Sequence, residues 1–167
     1  MHICCAPCAV YPVRTFDGAG ITGFYFNPNI HPRQEFLKRR DAVAEYSKKE
    51  GFEVIFSKHE PDIFLNTIDQ SRERPQRCRL CWKMRLEKTA AYAAKNSFDA
   101  FATTLLISPY QDHLVIRAIG EETAAKTGVD FYYADFRIGF RQAQEEAKRL
   151  GLYRQKYCGC EYSQKEK

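Results

Sequence analysis

The chain has 167 residues, 44% of them apolar and 28% charged, with a formal net charge of +5, which suits one domain with a real core. No apolar run nears the ~18–20 residues that span a bilayer, and residues 1–8 lack the basic start and apolar stretch of an export signal. The expectation is a cytoplasmic protein with no membrane partner, and twelve Phe, ten Tyr and one Trp argue against disorder.

A short first strand ends at Ile3 and runs into Cys4-Cys5-Ala6-Pro7-Cys8. A helix follows over residues 7–16, with the proline tolerated in its first turn, and Asp17-Gly18-Ala19-Gly20 breaks it. Residues 21–26, β-branched and aromatic, predict a strand that stops at Asn27-Pro28-Asn29. Residues 31–49 predict a helix with Phe36, Leu37, Val43, Ala44 and Tyr46 on an imperfect apolar face, closed by Gly51. A strand over 52–57, a short helix over 61–68 and a basic loop over 72–77 come next. Residues 80–95 predict a strong helix, with Leu80, Met84, Ala91 and Ala94 on related turns. Then come a strand over 98–106 ended by Ser108-Pro109, a helix over 112–126, a strand over 129–136 and a helix over 140–150. The tail, about 152–167, is irregular. Strand and helix alternate about five times, which predicts an α/β fold with a mostly parallel sheet and helices on both faces.

In such sheets the site lies beyond the carboxyl ends of the strands. Cys4, Cys5 and Cys8 follow the first strand there, and Thr103, Thr104 and Ser108-Pro109 lie near the end of the fourth. A glycine-rich phosphate loop is missing after the first strand, which disfavours a nucleotide-phosphate cradle at that position.

Seven cysteines fall into three clusters: Cys4, Cys5 and Cys8; Cys78 and Cys81; Cys158 and Cys160. Cytosolic thiols stay reduced, and an odd number cannot pair completely, so the clustering points to metal binding or thiol redox chemistry. Cys78 and Cys81 stand at i and i+3 on a helix, where both sulfurs can reach one metal. The helix start and the surrounding arginines favour thiolates. Adjacent Cys4 and Cys5 suit one tetrahedral zinc poorly. An iron–sulfur cube offers separate irons, so Cys4, Cys5, Cys78 and Cys81 make a four-thiolate set for a [4Fe–4S] cluster. Cys8 can ligate a second metal, replace one of the four, or sit inert. Asp62 and Asp112 can cap helices or ligate a metal, and His2 and His113 are possible nitrogen ligands. Cys158-Gly159-Cys160 brings two thiols near disulfide range in a strained ring, as in labile redox pairs. Ligation of the same cluster is the alternative.

Residues 72–88 hold seven basic residues and two acids around Cys78 and Cys81. Arg72, Arg74, Arg77, Arg79 and Lys83, joined by Arg154 in the tail, form a basic rim suited to RNA, and nearby aromatics can stack on splayed bases. For Lys38-Arg39-Arg40 a solvated helix face is the simpler reading.

Five segments together resemble the QueH-type epoxyqueuosine reductases: Cys4-Cys5-Ala6-Pro7-Cys8; residues 77–86, Arg-Cys-Arg-Leu-Cys-Trp-Lys-Met-Arg-Leu; residues 103–109, Thr-Thr-Leu-Leu-Ile-Ser-Pro; Asp135-Phe136-Arg137; and residues 153–163, Tyr-Arg-Gln-Lys-Tyr-Cys-Gly-Cys-Glu-Tyr-Ser. The likeness spans nearly the whole chain in order, with a shorter first strand. It implies a single HUP-like three-layer domain over 1–167. It implies cobalamin-independent reduction of epoxyqueuosine to queuosine in the tRNA anticodon, the last step of queuosine formation, with electrons from an unidentified donor. It further implies a [4Fe–4S] cluster on Cys4, Cys5, Cys78 and Cys81, a redox-active Cys158/Cys160 disulfide pair, and an additional mononuclear iron. Cys8 with Asp112 or Asp62 are the candidate ligands of that iron. The competing expectations are a zinc-stabilised RNA-binding module without activity and a metal-free thiol–disulfide oxidoreductase.

Overall fold

The computed structural model describes residues 1–16 and 20–166, so the predicted break at Asp17-Gly18-Ala19 lies outside the described residues. The order is α1 (Ala6–Thr15), β1 (Thr22–Tyr25), α2 (Arg33–Glu50), β2 (Glu53–Phe56), α3 (Pro61–Ile68), α4 (Gln76–Lys95), β3 (Ala100–Phe101), α5 (His113–Thr127), β4 (Asp130–Phe131), α6 (Phe140–Arg149) and α7 (Glu161–Lys165). Two short 3-10 turns, Thr104–Ile107 and Phe136–Gly139, complete it.

The chain start forms the middle of the sheet. β1 pairs with β2 in parallel, Thr22 opposite Glu53, and β3 pairs with β4 in parallel, Ala100 opposite Asp130. His2 joins the two ladders by parallel bridges to Phe24 and Thr103. The amides of His2 and Ile3 donate to Ala102 O and Phe24 O, at 2.8 and 3.0 Å. The spatial order is therefore β2, β1, residues 1–3, β3, β4, and the chain start is the point where the order reverses. Right-handed crossovers place α1 and α2 on one face and α4 and α5 on the other. Packing agrees: α1 meets α2 and α6, while α4 meets α3 and α5. The core between these layers includes Ile3, Tyr25, Phe36, Tyr46, Leu86, Leu106 and Ile116, all essentially inaccessible.

The α/β class and the parallel sheet are as expected, but several boundaries differ, and the predicted strand over 129–136 is only β4, the chain coiling into a 3-10 turn from Phe136. The predicted strand over 98–106 is only β3. The Thr103 hydroxyl accepts from the amide of Leu105 at 3.1 Å and caps a 3-10 turn, so the fully buried run Thr104–Ile107 coils instead of extending. The first strand is a bridge at His2 with no regular ladder. In the tail, Cys160 caps a short helix, its sulfur accepting from Ser163 N. Among the described residues no helix is long and apolar enough to cross a membrane.

Candidate functional site

Ligand sites of parallel sheets lie at the strands' carboxyl ends, at the point where the order reverses, and the first cysteine cluster follows the central segment at that end. Cys4 follows the central segment, Cys5 precedes α1 as its N-cap, and Cys8 lies one turn on. Their three sulfurs lie within 4.8 Å of one another, a group able to hold a metal ion. Thr104 Oγ1 contacts Cys4 twice, accepting from its amide at 3.1 Å and donating to its sulfur at 3.4 Å. Gln155 Nε2 donates to Cys5 Sγ at 2.9 Å and reaches Cys8 Sγ at 3.8 Å.

Cys78 and Cys81 stand on the first turns of α4, which begins at Gln76, earlier than the periodicity predicts. With Cys158 and Cys160 they line one pocket of about 170 Å³, together with Arg85 and Asp112. Cys81 and Cys160 also share a small apolar cluster with Phe64 and Ile68 of α3. All seven cysteines are free thiols, so Cys158 and Cys160 are not bonded to each other. Cys158 is exposed, Cys160 buried.

The segment bearing this pair is tied down from several sides. Arg39 is 2% exposed, not part of a solvated face. Its Nε donates to Glu35 Oε1 at 2.8 Å, and its two terminal nitrogens donate to the carbonyls of Cys158 and Tyr157, each at 3.0 Å. Tyr153 donates to Glu35 Oε2 at 2.6 Å, and Tyr157 donates to the carbonyl of His31. Gly159 has φ +136°, a conformation side chains rarely adopt, and a Cβ there would lie 3.1–3.3 Å from Ile30, Asn29 and Arg39.

The electrostatics centre on Arg85, which is 1% exposed. Its Nε donates to Cys81 O at 3.1 Å, its Nη2 has no partner, and among the described residues no carboxylate pairs with it. Burial works against its charge, yet nearby Cys81, Cys158, Cys4 and Cys160 keep its pKa raised. Among the first three cysteines, hydrogen bonds from Cys5, Cys8 and Thr104 hold the Cys4 thiol well below its usual value. Burial pushes Cys5 up, and hydrogen bonding to Cys4 and Cys5 pushes Cys8 up. Burial pushes Cys81 up to about 12. Cys5, Cys8 and Cys81 thus hold their protons more tightly without a metal, while Cys4 gives its proton up most readily and is one of the sulfurs whose charge favours the Arg85 cation. A metal held by thiolates would place further negative charge beside this carboxylate-free cation, so this donor set fits an anionic metal–thiolate group.

Other predicted residues fall into place unevenly. Asp112 caps α5, accepting from Val115 N at 3.1 Å, and also faces the pocket; Asp62 is exposed in the first turn of α3 and does not line it. His2 is committed through Nδ1 to Thr103 Oγ1 at 3.0 Å and through Nε2 to Phe26 O and Asn27 Oδ1, each at 3.2 Å. His113 faces Asp135, 3.9 Å away. Arg77 is turned inwards, bonded to both Glu166 oxygens at 2.7 and 2.8 Å and stacked over Tyr162. Arg72, Arg74, Arg79 and Arg154 are exposed, Arg72 beside Asp69 and Arg74 beside Glu166. Lys83 stands 3.9 Å from Glu87 and Glu122. Sequence reasoning missed Arg39, Arg85 and Gln155. The Glu35/Arg39 spacing was a signal for the first, and Gln155 lies inside a motif that was noted.

The family model described as "Epoxyqueuosine reductase QueH" matches residues 1–166. The chain belongs to the QueH epoxyqueuosine reductase family. A relative from Dehalococcoides mccartyi, named epoxyqueuosine reductase QueH, is 40% identical, with 100% of this chain and 92% of that one covered. Relatives of the same name from Streptococcus pyogenes serotype M1 and Thermotoga maritima are 34% and 33% identical. They cover 99% and 98% of this chain, and 69% and 88% of their own lengths.

Proposed function

We propose that this protein reduces epoxyqueuosine to queuosine in tRNA, through a metal–thiolate centre and a dithiol on either side of Arg85. The observation that carries this reading is the buried, carboxylate-free guanidinium of Arg85 among Cys4, Cys81, Cys158 and Cys160. In this reading Cys4, Cys5, Cys78 and Cys81 hold a [4Fe–4S] cluster. Cys8 and Asp112 hold an additional iron, Asp112 being preferred to Asp62 because it faces the pocket. A tRNA substrate fits a cytoplasmic site of action.

Converting the epoxide to an alkene takes two electrons and two protons and releases water. The cluster, when bound, supplies single-electron transfer, and the additional iron a Lewis acid for the departing oxygen. Oxidation of the Cys158/Cys160 dithiol to a disulfide releases two electrons and two protons, the requirement of one turnover. The exposed Cys158 is the sulfur an external reductant can reach to reset the pair. Arg39 holds the carbonyls of Tyr157 and Cys158, on either side of the Cys158 Cα, which keeps Cys158 at the pocket. Arg85 offers a fixed positive charge where negative charge collects, without reorganisation.

Protein purified without oxygen is expected to hold four to five irons with acid-labile sulfide and a broad absorption near ~400 nm. Cys78→Ala abolishes the colour and the turnover of epoxyqueuosine-tRNA. Cys158→Ser keeps the colour and impairs turnover. A colourless protein with stoichiometric zinc sinks this reading and leaves an RNA-binding module. Colourless, metal-free protein that still exchanges disulfides leaves a thiol oxidoreductase.

A further inference from the structure

Among the described residues, five large apolar side chains are exposed: Phe56, Tyr110, Leu114, Tyr132 and Ile138. Three of them stand far out, Tyr110 at 84%, Leu114 at 79% and Ile138 at 86%. A single exposed leucine needs no explanation, but grouped exposed apolar surface marks a contact site. These three belong to two segments that touch. Tyr110 precedes α5, Leu114 is in its first turn, and Ile138 lies in the 3-10 turn Phe136–Gly139. Phe140 meets the Tyr110 ring edge-on with centroids 6.2 Å apart, and His113 faces Asp135 across the same seam.

Tyr110 also lines the pocket that holds Cys78, Cys81, Cys158 and Cys160. Its ring therefore stands at the mouth, one side packed on Phe140 and the rest in solvent. On the proposed reaction the reacting nucleoside is part of an RNA loop. Its neighbours are covalently attached, so they must cross this rim when the base enters the pocket. An exposed aromatic at that position matches an unstacked base. Exposed guanidinium groups suit RNA as the occupant: Arg74 lines the same pocket at 57% side-chain exposure, beside Glu166 at 3.1 Å, and Arg141, next to Phe140, is 92% exposed, beside Glu145 at 3.0 Å; both sit in surface pairs that a phosphate can compete for.

We propose that Tyr110 stacks on a nucleotide adjacent to the reacting one, with Leu114 and Ile138 extending the platform. This rests on the epoxyqueuosine reading for the identity of the RNA, but the contact can be measured apart from the reaction.

The test uses metal-loaded, full-length protein and a synthetic anticodon stem-loop with guanosine at the wobble position, its binding followed by fluorescence anisotropy. Tyr110→Ala is expected to weaken binding by about 10- to 100-fold, the range of one lost base–aromatic stack. Tyr110→Phe keeps binding within about threefold, because stacking needs the ring and not the hydroxyl. On epoxyqueuosine-tRNA, Tyr110→Ala raises KM with kcat and the visible spectrum unchanged, since the lost contact is made equally before and during reaction. A wild type that does not bind the stem-loop, or an alanine variant that binds it as tightly, overturns the platform. So does a variant with normal RNA binding whose reduction by a protein electron donor is slowed; the face then belongs to that donor. A wild type that binds through Tyr110 yet turns over no epoxyqueuosine-tRNA leaves the platform standing and removes the reductase reading.

Discussion

At the scale of single residues, Arg85 is an energetic anomaly in the metal-free protein. A buried, unpaired charge is destabilising by several kcal/mol, whereas replacing it with an apolar group of similar size is often neutral or favourable. Its partnerless Nη2 is therefore a liability that bound negative charge removes. This makes the effect of Arg85→Met depend on the metal. In reduced, metal-free protein the variant should melt at the same temperature or higher. In the loaded protein the midpoint potential of the cluster should fall, because a nearby cation favours the added electron. Arg85→Lys keeps the charge but loses the planar fork, so its potential should lie between the two. Gln155 acts in the same direction, as its amide donates to Cys5 Sγ and a hydrogen bond to a ligand sulfur also favours the reduced state. Thermal melts and a redox titration decide the matter. A methionine variant that is strongly destabilised without metal and unshifted in potential with it would show Arg85 to be structural only.

At the scale of elements, the strap over residues 153–160 has two of its carbonyls held by one side chain. Arg39 spends all three of its donor directions on Glu35 and on the carbonyls of Tyr157 and Cys158. Arg39→Lys retains the charge and cannot reproduce the fork. Its expected signature is faster hydrogen exchange over 153–160 and faster alkylation of Cys160, which is 8% exposed in the native fold. Unchanged alkylation would mean that α7 alone protects that thiol. The strap also marks where sequence reasoning ends. The helices were legible because their apolar residues recur locally, and α3 was placed at its observed bounds. The first cysteine group was legible because five consecutive residues carry it. Arg39 and Arg77 were read as surface charge because their partners lie more than 80 residues away, at Tyr157, Cys158 and Glu166. The strand over 98–106 was overdrawn because a buried apolar run looks alike whether it extends or coils. A side-chain cap at Thr103 decided between the two. Asp112 shows the same limit, since capping α5 and facing the pocket are compatible roles that only the fold brings together.

At the scale of the whole molecule, the two halves of the sheet meet at His2, and its chemistry sets a pH dependence for the entire fold. The imidazole is fully buried between the β1 and β3 sides, held by Thr103, Phe26 and Asn27. Burial, reinforced by the charge of Arg85, pushes its pKa down to about 3. The unfolded chain takes up this proton near its ordinary value of ~6.5, while the native protein refuses it until about 3. Between those values the unfolded state binds more protons, so stability rises with pH and falls as the solution is acidified. The full contribution of His2 is present above ~6.5 and drains at up to ~1.4 kcal/mol per pH unit below it. The measurement is the urea midpoint of reduced, metal-free protein between pH 4 and 7, with His2→Gln beside it. Glutamine can keep part of the hydrogen bonding to Thr103 and Asn27 but cannot titrate. The variant should therefore start less stable at pH 7 and lose stability less steeply towards pH 4. Parallel curves would mean that His2 takes its proton in the folded state, and that the junction between the two ladders opens to water without unfolding.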